Sequence, residues 1–482
     1  MKTLKYIGLI LGVSLAIGVT SCKEDDGDAY PGGDGPVVVN KIYLEDADAN
    51  VKDRDVTEVW GRLGQTLRLE GSGFGGTQKI LVNGYDTYFN TSLVTDNSMI
   101  LQLQSKTPIS TADPELRDKI IFIKGDKQYV KEFVIRAASP RINSFSNTLP
   151  QAGETVYAYG SNLQETSIIT LPGGIEVTEI INAPEKESGE WFSFVMPEGV
   201  TEGGAIHSVG ANDEANSAAY FNLKAGMLLD FDGTGSQGYW SWSETGSMIN
   251  ADDLVDDPLN SGHGKVCQLI PERLLTNGVA ANKSRATEAW TAGAGGPTDD
   301  WSQLYEIIPE GTPVTDVAFQ FDIYVPDPWN LTGNIQIALI NNYNFQGIYS
   351  DEYKSTGASV AFFCPWLTMD ENGKFVTTPW STTGWKTITI PFSEFRKYYY
   401  LMNDEDAPRT PTFAEVVADR EAATYQNFGM SFVNNDIKTG IKDDNDEEIV
   451  FESFATRQKI YVDNWRIVPC KITLVSDFPD EE

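Results

Sequence analysis

Apolar and polar residues alternate along short stretches for most of the chain, and glycine, proline and asparagine punctuate them. In the first part such stretches occupy residues 79–82, before the turn Asn83-Gly84, then 99–103 and 120–123. Gly125-Asp126 turns the chain into 129–135. Residues 191–196 repeat the pattern before Pro197-Glu198-Gly199, and further stretches lie near Ile206 and Tyr220. Beyond residue 225 the same reading predicts strands at 227–231, 266–270, 317–325, 335–340, 359–363, 387–390, 428–433 and 460–468. Period-two alternation bounded by turn residues is the signature of half-buried strands. One clear helix signal stands against it. Thr412-x-x-Glu415 is a capping box, and Phe413, Val416 and Val417 follow with helical spacing. The pattern predicts an all-β protein.

The chain also repeats itself. Gly64-Gln65-Thr66-Leu67-Arg68-Leu69-Glu70-Gly71-Ser72-Gly73-Phe74 aligns with Gly153-Glu154-Thr155-Val156-Tyr157-Ala158-Tyr159-Gly160-Ser161-Asn162-Leu163, every pair 89 residues apart. That spacing suits one small β-sandwich per copy. Gly71-Ser72-Gly73-Phe74-Gly75-Gly76 matches a dinucleotide-binding fingerprint. Such a site needs a helix next, to meet the pyrophosphate, and a strand is predicted instead. Asp46-Ala47-Asp48-Ala49-Asn50 opens like a calcium loop, but Val51 stands where the turn needs glycine, so it reads as a polar loop.

Composition narrows the function. Among 482 residues, 69 are acidic and 36 basic, a net charge of −33. Charge this negative argues against nucleic acid and against polyanionic substrates, which need clustered Lys and Arg. It suits neutral partners. His207 and His263 are the two histidines. Most His-based triads, zinc sites and general-base schemes are thereby disfavoured. Setting Cys22 aside, Cys267, Cys364 and Cys470 can form at most one disulfide, and buried thiols are the plain reading.

The N-terminus points outward from the cell. Lys2 and Lys5 precede an apolar run over 7–19 and then Val19-Thr20-Ser21-Cys22. The run is short for a membrane span of about 20 residues and reads as a secretion signal over 1–21. The small residues before Cys22 resemble a bacterial lipobox, which implies that Cys22 becomes the acylated first residue. Lys23-Glu24-Asp25-Asp26 resembles the surface-export signal of Bacteroidetes lipoproteins; a solvated linker is the alternative. Residues 22–36 form a polar tether. The resemblances imply an outer-membrane protein, lipid-anchored and facing the extracellular side.

The recurring Gly-x-Thr-x-x-x-x-Gly-Ser segment resembles immunoglobulin-like domains of the IPT/TIG type, which implies two tandem sandwiches, 37–137 and 138–224. The last part, 225–482, holds nine of the 11 tryptophans. Leu229-Asp230-Phe231-Asp232-Gly233 opens it, 384–395 (Gly384-Trp385-Lys386 onward) lies late, and Tyr461-Val462-Asp463-Asn464-Trp465 closes it. These resemble the strands of a carbohydrate-binding jelly roll, a larger β-sandwich. In order, the parts resemble a Bacteroidetes surface glycan-binding lipoprotein, the type encoded beside SusC/SusD-like transporters. The resemblance implies capture of a neutral polysaccharide, β-glucan or xyloglucan-like, for uptake by such a transporter.

Such ligands present hydroxyls and apolar sugar faces, which flat aromatic rings match at low entropic cost. Trp329 follows Pro326-Asp327-Pro328, and Trp366 follows Cys364-Pro365, each just past a predicted strand. Proline cannot continue a central ladder, so both are expected on rim loops as platforms. Trp290 and Trp301 flank a glycine-rich loop and are weighed as further platforms. Tyr343, Phe345 and Tyr349 alternate with amides over 341–349 and are expected to contact sugar. Trp385 and Trp465 are expected to be structural. The jelly-roll resemblance allows a structural calcium ion held by Asp230, Asp232 and Asp463; ordinary strand-end capping is the alternative. No other cofactor is expected. A glycoside hydrolase needs two carboxylates and no histidine, and remains the rival reading beside a non-glycan adhesin. The Glu-x-Asp-x-x-Glu strand pattern common in jelly-roll hydrolases is absent, and a binding role, not catalysis, is favoured.

Overall fold

The structure, a computed structural model, describes residues 35–45, 54–238, 247–274, 283–292, 300–340, 359–443, 445–476 and 478. Its sheets fall into three groups, drawn from residues 38–136, 141–216 and 227–469. In the first group Arg54–Asp55, Val38–Leu44, Thr66–Ser72 and Ser98–Gln102 form one antiparallel sheet. Tyr85–Thr87, Lys79–Val82, Lys119–Lys124 and Lys127–Glu132 form the sheet that faces it. Alternation supplies the core. Leu67 and Leu69 of Thr66–Ser72 point inward with Ile42, Ile80, Met99 and Phe122, while Arg68 and Glu70 point out. Each such apolar side chain contributes roughly 1.5–3 kcal/mol by leaving water. The glycine-rich fingerprint is followed by the strand Lys79–Val82, as the sequence predicts.

The second group repeats the first. Arg141–Phe145, Thr155–Ser161, Trp191–Val195 and Ile181–Asn182 make one sheet; Ile175–Val177, Ile168–Leu171, His207–Gly210 and Asp213–Asn216 make the other. The 89-residue repeat is a repeat of backbone geometry. Gly64 and Gly153 both take positive φ, 91° and 86°, at the turn into the strand. Gly71 and Gly160 both lie against a bulge in the neighbouring strand. A Cβ on Gly71 would meet the Val38 carbonyl oxygen at 1.9 Å, and one on Gly160 the Arg141 oxygen at 1.8 Å. Only glycine permits that approach.

The third group is a two-sheet sandwich. One sheet runs Val255–Asp256, Lys265–Gln268, Tyr461–Pro469, Val317–Tyr324 and Lys386–Pro391, with Met227–Leu229 also paired to Tyr461–Pro469. The other runs Lys283–Trp290, Gly429–Asn434, Asn334–Ala338 and Val360–Phe363. The helix Phe413–Glu421 carries both hydrogen bonds of its predicted capping box and buries Phe413, Val416 and Val417. A second helix, Arg396–Met402, was not legible, since Phe395 offers no side-chain cap.

The groups are joined through side chains, not by linkers alone. At the first joint Arg62, almost fully buried, donates to the carbonyls of Ala137 and Asn212. Trp60 lies under both Arg62 and Arg136, and Arg117 pairs in bidentate fashion with Glu165. At the second joint Ala318 and Val468 of the C-terminal sandwich belong to the core of the preceding domain. Beside them Thr387 donates its hydroxyl to Asp322 at 2.7 Å and its amide to the Ser146 carbonyl at 3.1 Å. Arg466 donates to Thr148. Past Pro469 the chain leaves the sandwich, so the span 225–482 is not one domain throughout. Cys470 and Ile472 pack on the second domain, Ser139 donates to the Ser476 carbonyl, and Arg54 of the first domain lies over Phe478 at 5.3 Å.

Gly160→Ala is expected to destabilise the second domain by about 1–3 kcal/mol through the clash with Arg141. Gly384→Ala, whose Cβ meets nothing within 4 Å, is expected to be close to neutral. Chemical denaturation of the two variants checks this; equal midpoints would discard the close-approach account.

Candidate functional site

The four tryptophans expected as platforms are buried instead, Trp301, Trp329 and Trp366 in the sandwich core and Trp290 in a small cluster on the other face of its sheet. Trp329 is 0%, Trp301 1%, Trp290 2% and Trp366 2% exposed. The proline turns do end the strands, but they direct the indoles inward. Trp329 exchanges both backbone hydrogen bonds with Trp380, and its Nε1 donates to the Thr332 carbonyl at 2.5 Å. Its ring packs on Phe363 and Phe432. Trp366 Nε1 donates to the Gly333 carbonyl at 2.9 Å. Trp301 opens a 3-10 turn capped by Asp300, and the Arg420 guanidinium lies 3.7 Å from its ring centre. Trp290 lies across Gly429, where a Cβ would come within 2.1 Å of the indole, and its Nε1 donates to Glu288. An indole whose N–H finds an acceptor indoors loses little by burial and gains its whole apolar area. Trp385 and Trp465 are buried too, in the structural positions expected. Cys22, the 46–50 loop, Tyr343, Phe345 and Tyr349 lie outside the described residues. Among the described residues of this sandwich the accessible rings are Tyr399, Tyr425 and Phe454, with Trp380 half-buried. Trp380 carries the same Pro-Trp signal as Trp366 and was passed over.

Two polar features of this domain stand out. The first is the outer face of the sheet Lys283–Trp290, Gly429–Asn434, Asn334–Ala338, Val360–Phe363. Register sets Glu288 opposite Ser431, Ser431 opposite Gln336 and Gln336 opposite Phe362. A carboxylate, a hydroxyl, a carboxamide and a ring therefore form one row across four strands. The next row holds Trp290, Gly429, Ala338 and Val360. Glu288 accepts from Ser247 Oγ at 2.6 Å and from Trp290 Nε1 at 2.9 Å. Residues 341–358, which include Tyr343 and Tyr349, connect the two strands carrying Gln336 and Phe362. Glu288, Ser431 and Gln336 are each 0% exposed, so the row is a buried polar layer and not an open ligand surface.

The second is a cleft of about 550 Å³ between the second domain and the C-terminal sandwich. Asp230, Asp232, His263 and Asp463 line it on one side, Gln151 and Lys224 on the other. A bulge in Tyr461–Pro469, with Asn464 at φ 52°, lets Asp463 and Arg466 face outward while Trp465 faces the core. His263 Nδ1 sits 2.8 Å from Asp463 Oδ2, and the imidazole stacks on Trp385 at 4.1 Å. Burial pushes the Asp463 carboxyl up to about 7. Burial disfavours the His263 imidazolium, but its hydrogen bond to Asp463 and the charges of Asp322, Asp463 and Asp257 outweigh it and raise its pKa.

The calcium reading finds no support in this geometry. Asp230, Asp232 and Asp463 share the cleft, yet each is otherwise engaged. One Asp230 oxygen accepts three backbone N–H groups of the turn 232–234, Asp232 accepts from the Lys265 amide, and Asp463 is taken by His263. Among the described residues no three His, Cys, Asp or Glu side chains come together in a metal-holding arrangement. The strand-end capping alternative describes Asp230 and Asp232 better. Cys267, Cys364 and Cys470 are free thiols.

Comparison with known proteins adds the following. Residues 221–469 match the family model described as the surface glycan-binding protein B xyloglucan binding domain. An IPT/TIG domain-containing protein of Bacteroides ovatus is 21% identical over 435 residues, covering 70% of this chain and 82% of its own. The crystal structure of a surface glycan-binding protein B from Prevotella bryantii superposes with a TM-score of 0.62 at 19% identity, over 90% of this chain and 99% of that one. That similarity extends the shared β-sandwich fold beyond the family match to nearly the full chain.

Trp329→Ala and Trp366→Ala are each expected to lower stability by about 3–5 kcal/mol, as buried-ring deletions do, with thermal unfolding as the readout. A pH effect follows from the His263–Asp463 pair. Both groups hold protons more firmly folded than unfolded, so their stabilisation is present in mild acid and is lost as pH rises through about 7. The melting temperature of the C-terminal sandwich is expected to fall between pH 5 and pH 8, and Asp463→Asn to flatten the slope. An identical slope in the variant would exclude the pair as its source.

Proposed function

Given that the chain belongs to the family of the surface glycan-binding protein B xyloglucan binding domain, we propose that it is a lipid-anchored protein of the outer membrane's external face that captures a neutral polysaccharide, a β-glucan or xyloglucan-like chain, in its C-terminal sandwich. The family match carries this reading, because 221–469 takes in the entire sandwich from Met227–Leu229 to Tyr461–Pro469. The net charge of −33 agrees, since it disfavours polyanions and leaves neutral glycans unopposed.

In this reading Cys22 is acylated and fixes the chain at the membrane; each buried methylene contributes about 0.8 kcal/mol, so more than one lipid chain makes the anchor stable. The two immunoglobulin-like domains act as spacers. The buried Arg62 joint and the shared Ala318 and Val468 core support a stiff arm over a loose string. Contact with sugar falls to residues 341–349, with Tyr343 and Tyr349 stacking on rings. The captured chain passes to a SusC/SusD-like transporter beside it. A weak site tethered next to its acceptor works at a high effective concentration, so tight binding is unnecessary. Capture makes and breaks no covalent bond.

Affinity electrophoresis of residues 23–482 in gels containing xyloglucan, mixed-linkage glucan, xylan, mannan or polygalacturonate tests this. Retardation is expected in a glucan gel and not in polygalacturonate. The double variant Tyr343→Ala, Tyr349→Ala is expected to bind about tenfold more weakly or worse at an unchanged melting temperature. No retardation by any neutral glycan would end the proposal, and released reducing sugar would replace it with a hydrolase.

A further inference from the structure

The second immunoglobulin-like domain carries an exposed aromatic face that a spacer does not require. In Thr155–Ser161, Val156 and Ala158 point into the core, so Tyr157 and Tyr159 point out. Register sets Tyr159 opposite Trp191 and Tyr157 opposite Ser193, while Ser193 also pairs with Ile181 and Thr155 with Val195. Tyr157, Tyr159, Trp191, Ile181 and Val195 therefore share one face of the sheet. Tyr157 is 37%, Tyr159 36%, Val195 54% and Ile181 65% exposed. The two tyrosine rings are 6.2 Å apart with planes only 13° from parallel, and Trp191 meets Tyr157 edge-on at 5.2 Å. Beyond Trp191 the face opens into a cleft of about 300 Å³, lined also by Gln164, Asn182, Glu185 and Lys186.

This face is continuous with the C-terminal sandwich. The Tyr157 amide donates to Ser146 Oγ at 3.0 Å, and the Ser146 carbonyl accepts from the Thr387 amide at 3.1 Å. Thr387 lies in Lys386–Pro391, the edge strand of the sandwich. One residue thus separates the tyrosine strand from the family-matched domain.

We infer that the Tyr157–Tyr159–Trp191 face is a second contact for the same neutral glycan chain, rimmed by the Trp191 cleft. This rests on the capture reading above. The two stacked tyrosine rings with the edge-on indole present exposed apolar aromatic area suited to pyranose faces, and the cleft supplies polar groups for sugar hydroxyls. The acidic character of the chain excludes a polyanion here as elsewhere. Because the face and the sandwich are joined by the Ser146–Thr387 hydrogen bond and the shared Ala318 and Val468 core, a chain held by one is presented to the other at high effective concentration. The gain therefore depends on chain length. A polymer spans both contacts, whereas a single-repeat oligosaccharide occupies the sandwich alone.

The test compares the wild-type chain with the double variant Tyr157→Thr, Tyr159→Thr, which keeps strand-favouring residues at exposed positions. Titration calorimetry uses xyloglucan polysaccharide and a single-repeat xyloglucan oligosaccharide. The variant is expected to bind the polysaccharide about three- to tenfold more weakly while its oligosaccharide affinity and melting temperature stay unchanged. Trp191→Ala, checked for folding by circular dichroism, is expected to act in the same direction. Equal polysaccharide affinity in wild type and variants overturns the second contact and leaves the capture reading standing. A wild-type chain that binds neither probe overturns both. A wild-type dimer in sedimentation that the double variant abolishes assigns the face to self-association and overturns the glycan contact.

Discussion

The strand Tyr461–Pro469 has to serve two cores with one run of side chains. Trp465 and Ile467 enter the C-terminal sandwich, while Val468 enters the domain before it. Strict alternation cannot provide this together with the outward Asp463 and Arg466. The bulge at Asn464 resolves the conflict by shifting the phase of the strand midway. The other four strands of that sheet are ordered around this one and its neighbour Val317–Tyr324. The shared burial of Ala318 and Val468 then makes the second joint an apolar contact, with Thr387, Asp322, Arg466 and Thr148 as its polar edge. The orientation of any ligand surface relative to the rest of the arm follows from that joint.

Much of the fold was legible because alternation and turns are local. The predicted stretches 79–82, 317–325 and 460–468 fall on the strands Lys79–Val82, Val317–Tyr324 and Tyr461–Pro469. The repeat was visible because the close approaches at Gly71 and Gly160 tolerate no other residue. Lys283–Trp290 was missed because its sequence, Lys-Ser-Arg-Ala-Thr-Glu-Ala-Trp, is mostly polar. Its place in the sheet is decided by partners far away in the chain.

The tryptophans show where local reasoning stops. Proline before Trp366, and the Pro-Asp-Pro turn before Trp329, correctly marked the ends of strands. Which way the ring then turns depends on an acceptor for its N–H, and those acceptors are carbonyls of Thr332 and Gly333. Neither lies in the pattern that was read. Conversely, Tyr157 and Tyr159 sat in plain view inside the repeat. They look like routine outward positions of a strand until register brings Trp191 beside them. The acidic residues divide similarly. Asp230 and Asp232 were placed at the right strand end, where one oxygen of each caps backbone amides.

The segment from Cys470 to Phe478 changes how the arm carries load. In the proposed role, drag on a captured polymer would enter at the distal sandwich and reach the anchored end through both joints. At the first joint the main chain around residues 137–141 is one path. The returning segment, which packs on the second domain and sets Phe478 beneath Arg54, is another laid in parallel with it. Bending that joint would have to peel this strap from Ser139 and slide Phe478 from under its arginine. A pull along the polymer is therefore resisted by two strands of the same protein, as by a guyed mast and not a hinge.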